Sequence, residues 1–306
     1  MLSKVELQMR PYYQQQDLSV VGGLMRRTYD QAPFYNAWSI FRYDSWAQRR
    51  LCDERIFGQT GWQNDIFLWA DAQENPCGAL FYENENAVVV AGPGDLPLFE
   101  QIIAQAERHS TQKGLNRMSV EILGSNHPVQ TLLELRGYSR PDDHMIYRER
   151  RLETSSFEPV RLPPGFHLKT LETDEELAQF QEAVKAVFNY EDCPQAYRLV
   201  QEAPTYVPEL DLIILTEQGE VASFCTAWFD KERGLAEFEP VGTKPAFRRR
   251  GLSRELLAEA HNRLRQLGCR ISTVCSYSGA LPANNLYCVA GLEPRDRIYT
   301  WHKPLG

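Results

Sequence analysis

The sequence predicts a mixed α/β protein, an α+β arrangement on a mixed sheet, built twice in tandem. Three observations predict it. A length of 306 residues suits two domains of about 150 residues better than one. The middle of the chain, RERRLETSSFEPVRLPPG from residue 148, passes from charge through Ser and Pro to a Pro-Pro-Gly turn, the composition of a linker that opens a new domain. The third is an internal repeat. Gly114, Val120, Pro128, Leu132 and Gly137 recur as Gly268, Val274, Pro282, Leu286 and Gly291 at one offset (268 − 114 = 154), more than similar turn chemistry in two unrelated domains would give. The expected domains are therefore residues 1–150 and 151–306.

The second half shows the element order most clearly. Phe166 to Leu171 reads as a short strand. Thr173 and Glu176 form a capping-box signature opening a helix toward Phe188, and a second helical stretch covers Pro194 to Glu202. Leu212–Thr216, Val221–Asp230 and Leu235–Thr243 are strand-like runs separated by turn signals, among them Glu-Gln-Gly-Glu at 217–220. An amphipathic helix follows over Ser253–Leu267, with Leu256, Leu257, Ala260 and Leu264 on one face and Gly268 as its stop. A strand at Ile271–Ser276, a helix ending at Ala290 and a strand at Arg297–His302 complete the half.

Composition narrows the function. Lys plus Arg total 33 against 41 Asp plus Glu, a net charge of −8, which argues against a broadly basic nucleic-acid binder. No apolar run reaches the roughly 18 residues of a membrane span, and the first residues lack the apolar core of a secretory signal. Seven scattered cysteines with no C-x-x-C pair, and six dispersed histidines, offer no metal site and fit a reduced, cytoplasmic protein. Nothing in the sequence speaks to oligomeric state.

The segment that carries chemistry is FEPVGTKPAFRRRGLSRELLAEAHNRL. A strand ends at Thr243, and Arg248, Arg249, Arg250, Gly251, Leu252 and Ser253 lead straight into a helix. Unpaired N–H groups at a helix N-terminus attract phosphate oxygens, Gly251 leaves room for close approach, and the arginines add charge of the right sign. A bare arginine run would be only a solvated turn; strand, glycine turn and amphipathic helix together point to a phosphate site.

These residues resemble the GNAT superfamily of N-acetyltransferases, whose acetyl-CoA signature is Arg/Gln-x-x-Gly-x-Gly/Ala; here the last place is Ser253. Val241-Gly-Thr-Lys-Pro before the loop is similar to the family pattern. So is ANNLYCVAGLEP after it, with Asn284, Tyr287 and Gly291-Leu292 in place of Asn…Tyr…Gly-Phe. The resemblance covers roughly residues 165–304 and makes the chain two tandem GNAT-like acyltransferase domains. It implies acetyl-CoA as co-substrate and a primary amine of a small molecule as acceptor. The N–H groups of Arg249 to Ser253 would hold the pyrophosphate, Val241 and Thr243 would pair with the pantetheine arm, and Asn284 would touch the cofactor. Tyr287 would protonate the departing thiolate. An amine nucleophile needs a base, and Glu237 or Glu239, two apart on the strand that reaches the cofactor, would supply it. Phe188, Tyr190, Cys225 and Trp228 are candidate acceptor-lining residues, with core packing as the plainer role. The same fold with another acyl donor, or a CoA-binding module without turnover, are the alternatives.

The constant offset sets Gly94, Pro97 and Phe99 against Arg248, Gly251 and Ser253, and Leu133 against Tyr287, with Glu83 and Glu85 against Glu237 and Glu239. Pro97 has no N–H to donate and no arginine stands in that loop. The first half is therefore expected to keep the fold without the cofactor. Its aromatic run from Pro33 to Tyr43 is expected to be core.

Overall fold

The structure, a computed structural model, describes residues 7–153, 156–157, 159–189 and 194–306. Along the chain the elements are β1 (Gln8–Pro11), α1 (Gln16–Gln31), α2 (Ile40–Phe57), β2 (Phe67–Ala70), β3 (Pro76–Glu83), β4 (Asn86–Ala91), α3 (Leu96–Gln112), β5 (Arg117–Leu123), α4 (His127–Leu135) and β6 (Met145–Arg151). They continue with β7 (Phe166–Thr170), α5 (Asp174–Phe188), α6 (Pro194–Val200), β8 (Asp211–Thr216), β9 (Val221–Asp230), β10 (Leu235–Thr243), α7 (Leu252–Gln266), β11 (Ile271–Tyr277), α8 (Leu281–Val289) and β12 (Glu293–Pro304).

The chain divides into two compact units, and the division is not a simple cut in the middle. One unit runs to Met145 and also takes Asp296–Gly306; the other is Ile146–Arg295. The two halves have exchanged their last strands. β12, from the end of the chain, pairs antiparallel with β5 from Ile298↔Leu123 to Pro304↔Arg117, and β6, from the end of the first half, lies beside β11. The charged RERR segment is thus a strand rather than the start of a linker, because Tyr147 and Arg148 are buried on it. The offset of 154 contains this result: the final strand, moved back by that distance, falls on residues 143–148.

The first unit orders its strands β1-β2-β3-β4-β5-β12, and the second β7-β8-β9-β10-β11-β6. In the first unit every pair is antiparallel except β4 with β5; in the second, β7 to β10 are antiparallel and β10 meets β11 in parallel. The repeat holds residue for residue in the later elements: β5 and β11, and α4 and α8, start and stop 154 residues apart. In the second unit Leu256, Leu257, Ala260 and Leu264 of α7 pack on one face of the sheet with Ala236 and Phe238. Leu177, Phe180 and Ala183 of α5 cover the other with Ile213 and Phe224. The α5 capping box forms as the sequence indicates, Thr173 accepting from the Glu176 N–H while Glu176 reaches back to the Thr173 N–H. In the first unit Trp38, Ile40, Phe41 and Tyr43 are core. Among the described residues no helix is long and apolar enough to cross a membrane, and no cluster of His, Cys, Asp and Glu could hold a metal ion.

Candidate active site

The site begins with two strands that part. β10 and β11 pair only over Leu235–Glu237 and Ile271–Thr273, although β10 runs on to Thr243 and β11 to Tyr277. From Phe238 onward β10 keeps β9 alone as partner. Between Phe238 and Val241 it carries one residue more than β9, a bulge that bends the strand and opens a gap toward β11. Gly242 belongs to this bend: a Cβ there would lie on the Phe224 ring, which fills the space from the paired position on β9.

At the mouth of the gap, residues 244–251 lead into α7. Gly251 is the N-cap in the left-handed region (φ +82°) and offers no side-chain cap; a Cβ on it would meet nothing within 4 Å. Among the described residues nothing accepts a hydrogen bond from the main-chain N–H groups of Arg249, Arg250, Gly251, Leu252 and Ser253. The arginines divide their work. Arg248 Nε donates to Thr243 O at 3.1 Å, and Arg250 stands over the rings of Phe166 and Phe247, 5.8 Å from each. Arg249 is exposed with φ +65°. Ser253, the departure from the signature, joins a hydroxyl cluster with Thr243 and Ser223, and Ser223 Oγ donates to Gly242 O at 2.8 Å. The extra hydroxyl is spent on the strand end, not on the loop's open side.

Behind the gap lies α8. Tyr287 is only 6% exposed, and among the described residues none bonds its hydroxyl. Burial holds that hydroxyl well above the ordinary tyrosine range, with Cys225, Glu239 and Cys275 adding in the same direction and Arg148 opposing. It stays protonated at neutral pH. Asn284 uses its whole amide within the protein: Oδ1 accepts from Ser276 Oγ (2.8 Å) and Arg148 (3.2 Å), and Nδ2 donates to the carbonyls of Tyr277 and Ser278 (3.0 and 3.1 Å). Rather than presenting a donor to a ligand, it locks α8 to the end of β11. Glu237 and Glu239 do not share an environment. Glu237 is buried opposite Trp228 and Thr273, whereas Glu239 is exposed at the bulge. Its carbonyl accepts from Trp228 Nε1 at 2.7 Å.

Of the candidate lining residues, Cys225 is fully buried in the core and its thiol is pushed up by burial. Trp228 packs edge-on to Tyr206, Phe188 is half-exposed beside Phe224, and Tyr190 lies outside the described residues. Sequence reasoning missed Arg148 and Ser223. Arg148 was hidden in charge that read as linker, and only its place in the repeat could have revealed it.

Residues 172–291 match the family model of the acetyltransferase (GNAT) family. The match lies wholly within the second unit. By sequence no curated protein matches. Among solved structures the chain is similar to a GCN5-related N-acetyltransferase from Sphaerobacter thermophilus, at TM-score 0.67 and 16% identity over 98% of this chain and 96% of that one. It is similar also to a tandem GNAT protein from the clavulanic acid biosynthesis pathway (TM-score 0.69, 14% identity, 98% and 99%). A GNAT-family acetyltransferase from Colwellia psychrerythraea matches at TM-score 0.62 and 12% identity, over 96% and 99%. At these identities the likeness establishes the fold, and it extends over nearly the whole chain: two units of GNAT-like fold in tandem.

The first unit treats the corresponding place differently. β4 and β3 pair without a bulge, and only residues 92–95 separate β4 from α3. The N-cap of α3 is Asp95, whose carboxylate accepts from the Leu98 N–H at 3.1 Å. That helix end already has its anion. The shorter segment also corrects the expected counterparts of the glutamates. Asn86 pairs with Ser119 as Glu237 pairs with Thr273, and Ser119 and Thr273 are 154 residues apart, so Asn86 and Val88, not Glu83 and Glu85, stand in those places. Leu133 does occupy the place of Tyr287 and is fully buried. A cavity of about 440 Å³ between Gly94, Leu96, Asn126 and the rings of Phe34 and Tyr35 has no basic residue in its lining.

Proposed function

We propose that the second unit transfers an acetyl group from acetyl-CoA to a primary amine of a small molecule, by direct attack within a ternary complex. The observation that carries the reading is the α7 N-terminus, with its unbonded N–H groups and a glycine cap open on its outer side. A pyrophosphate fits there on charge and on donor geometry. Arg249 adds a cation that holds no place in the loop's own framework, and the parted edge of β10 around Val241 and Thr243 suits an extended pantetheine arm.

The chemistry then follows from the chain's own groups. The amine lone pair attacks the acetyl carbonyl carbon, the C–S bond breaks with its electron pair on sulfur, and Tyr287 gives its proton to that sulfur, so the second product is a thiol. The proton lost from nitrogen leaves through Glu239, exposed at the bulge, or through the buried Glu237 by way of water. Asn284 is assigned a positioning role. The first unit is proposed not to bind acetyl-CoA, since Asp95 occupies its helix end.

The test is a panel of primary amines, polyamines, amino sugars and amino-acid amides, incubated with acetyl-CoA while thiol release is followed. At least one amine should give turnover, and Tyr287→Phe should lower kcat by about 10²-fold or more, the usual weight of a positioned acid. Full turnover in Tyr287→Phe would remove the acid role. Absence of turnover across the panel would leave the domain a binding module.

A further inference from the structure

Arg148 sits in the second unit on a strand that comes from the first half of the sequence, and it is only 4% exposed. Among the described residues no carboxylate pairs with it. Its guanidinium donates to Asn284 Oδ1 at 3.2 Å, to Leu292 O at 3.4 Å and to Cys288 Sγ at 3.6 Å, while its buried Nε has no partner. A cation buried without a counter-charge costs several kcal/mol. Such an expense for structure alone is hard to account for, because a neutral donor could serve one amide oxygen and one carbonyl.

The placement gives the charge a use. Asn284 and Cys288 are four residues apart on α8, with Tyr287 between them on an overlapping face, so Arg148 lies along the helix that presents Tyr287. Its charge opposes the carboxylate and thiols that act on the Tyr287 hydroxyl. When Tyr287 gives up its proton, a phenolate forms in a place that burial makes hostile to negative charge. A fixed cation close by is what such a phenolate requires.

Resting on the reading of Tyr287 as the acid, we propose that Arg148 is a positioning residue for the transfer: it orients α8 through Asn284 and stabilises the Tyr287 phenolate as the thiol forms. The acyltransferase centre of the second unit is thereby completed by the first half of the sequence.

A double-mutant cycle tests this in the full-length protein, with acetyl-CoA and the amine of the panel that turns over fastest. Arg148→Met should lower kcat on the order of tenfold, the equivalent of about one pKa unit in the acid, with KM for acetyl-CoA within about twofold of wild type. Arg148→Lys should recover most of that loss. In a Tyr287→Phe background Arg148→Met should cost nothing further, because the group it serves is gone. Should the Met variant not fold, Arg148→Gln, which keeps a donor for Asn284 without the charge, carries the same comparison. An equal loss in both backgrounds, or a raised KM with kcat unchanged, overturns the proposal. Full turnover in Tyr287→Phe alone would instead remove the acid assignment beneath it, so the two failures are told apart.

Discussion

Two glycines in equivalent loops make a matched experiment. Gly251 precedes α7 and Gly94 precedes α3; their φ angles are +82° and +80°, and a Cβ on either meets nothing within 4 Å. Alanine at either position therefore carries the same penalty, about 1–2 kcal/mol for a left-handed L-residue, and no clash. For units of about 150 residues each such loss lowers the melting temperature by about 2–4 °C per kcal/mol. The ligand response should separate them. Acetyl-CoA at about 100 times its dissociation constant adds about 2.7 kcal/mol. Losing one charge-assisted hydrogen bond at the pyrophosphate, about 1.5–3 kcal/mol, weakens binding roughly tenfold or more, and the same concentration then adds about 1.4 kcal/mol or less. Thermal unfolding with and without acetyl-CoA should show the ligand-induced rise cut to half or below in Gly251→Ala and unchanged in Gly94→Ala. An undiminished rise in Gly251→Ala would refute the anion site at α7; a diminished rise in Gly94→Ala would show that the first unit binds the cofactor.

Asp95→Ala should destabilise the first unit by about 1 kcal/mol through loss of the α3 cap, with kcat and KM unchanged; chemical denaturation and steady-state kinetics check both. Gly242→Ala should cost about 1–3 kcal/mol by overpacking against Phe224, and Phe224→Leu in the same chain should recover part of it, read from urea midpoints. His261 is buried, its Nδ1 facing Arg150 at 3.2 Å and its Nε2 at 3.0 Å from Ser272 Oγ, and desolvation with the Arg150 charge lowers its pKa from 6.5 to about 3. With the folded value below the unfolded one, the folded state resists protonation. Stability is full above about pH 6.5 and falls as the pH drops from there toward 3, by up to about 5 kcal/mol. Urea midpoints against pH should show this limb in wild type and a flatter one in His261→Gln.

Much of the fold was legible because each half repeats simple signals. The strands at 221–230 and 235–243 fall where strand-like runs bounded by turn signals place them, and the α5 helix begins at its capping box. The loop before α7, proposed as the pyrophosphate site, was legible as strand, glycine turn and helix. The bulge was not, since the run Ala-Glu-Phe-Glu-Pro at 236–240 gives no sign of one extra residue, and the bulge separates the surroundings of Glu237 and Glu239. The hydroxyl cluster of Ser223, Thr243 and Ser253 was hidden for a different reason: it joins residues from two strands and a helix, and none has a pattern of its own. Arg148 escaped because its meaning depends on which sheet its strand enters, a matter of pairing over long sequence separation rather than of local composition.

The crossed ownership of β6 and β12 also bears on how the protein is made. Synthesis runs from the N-terminus, so β5 leaves the ribosome about 180 residues before the strand that will border it. At roughly 5–20 residues per second its outer edge waits some ten to forty seconds with its N–H and C=O groups unpaired, an open template for other chains. Only Ile298 to Pro304 close it. The first unit is thus finished only after the second has been made, and a chain lacking residues 298–304 would carry its defect at β5, about 180 residues earlier in the sequence.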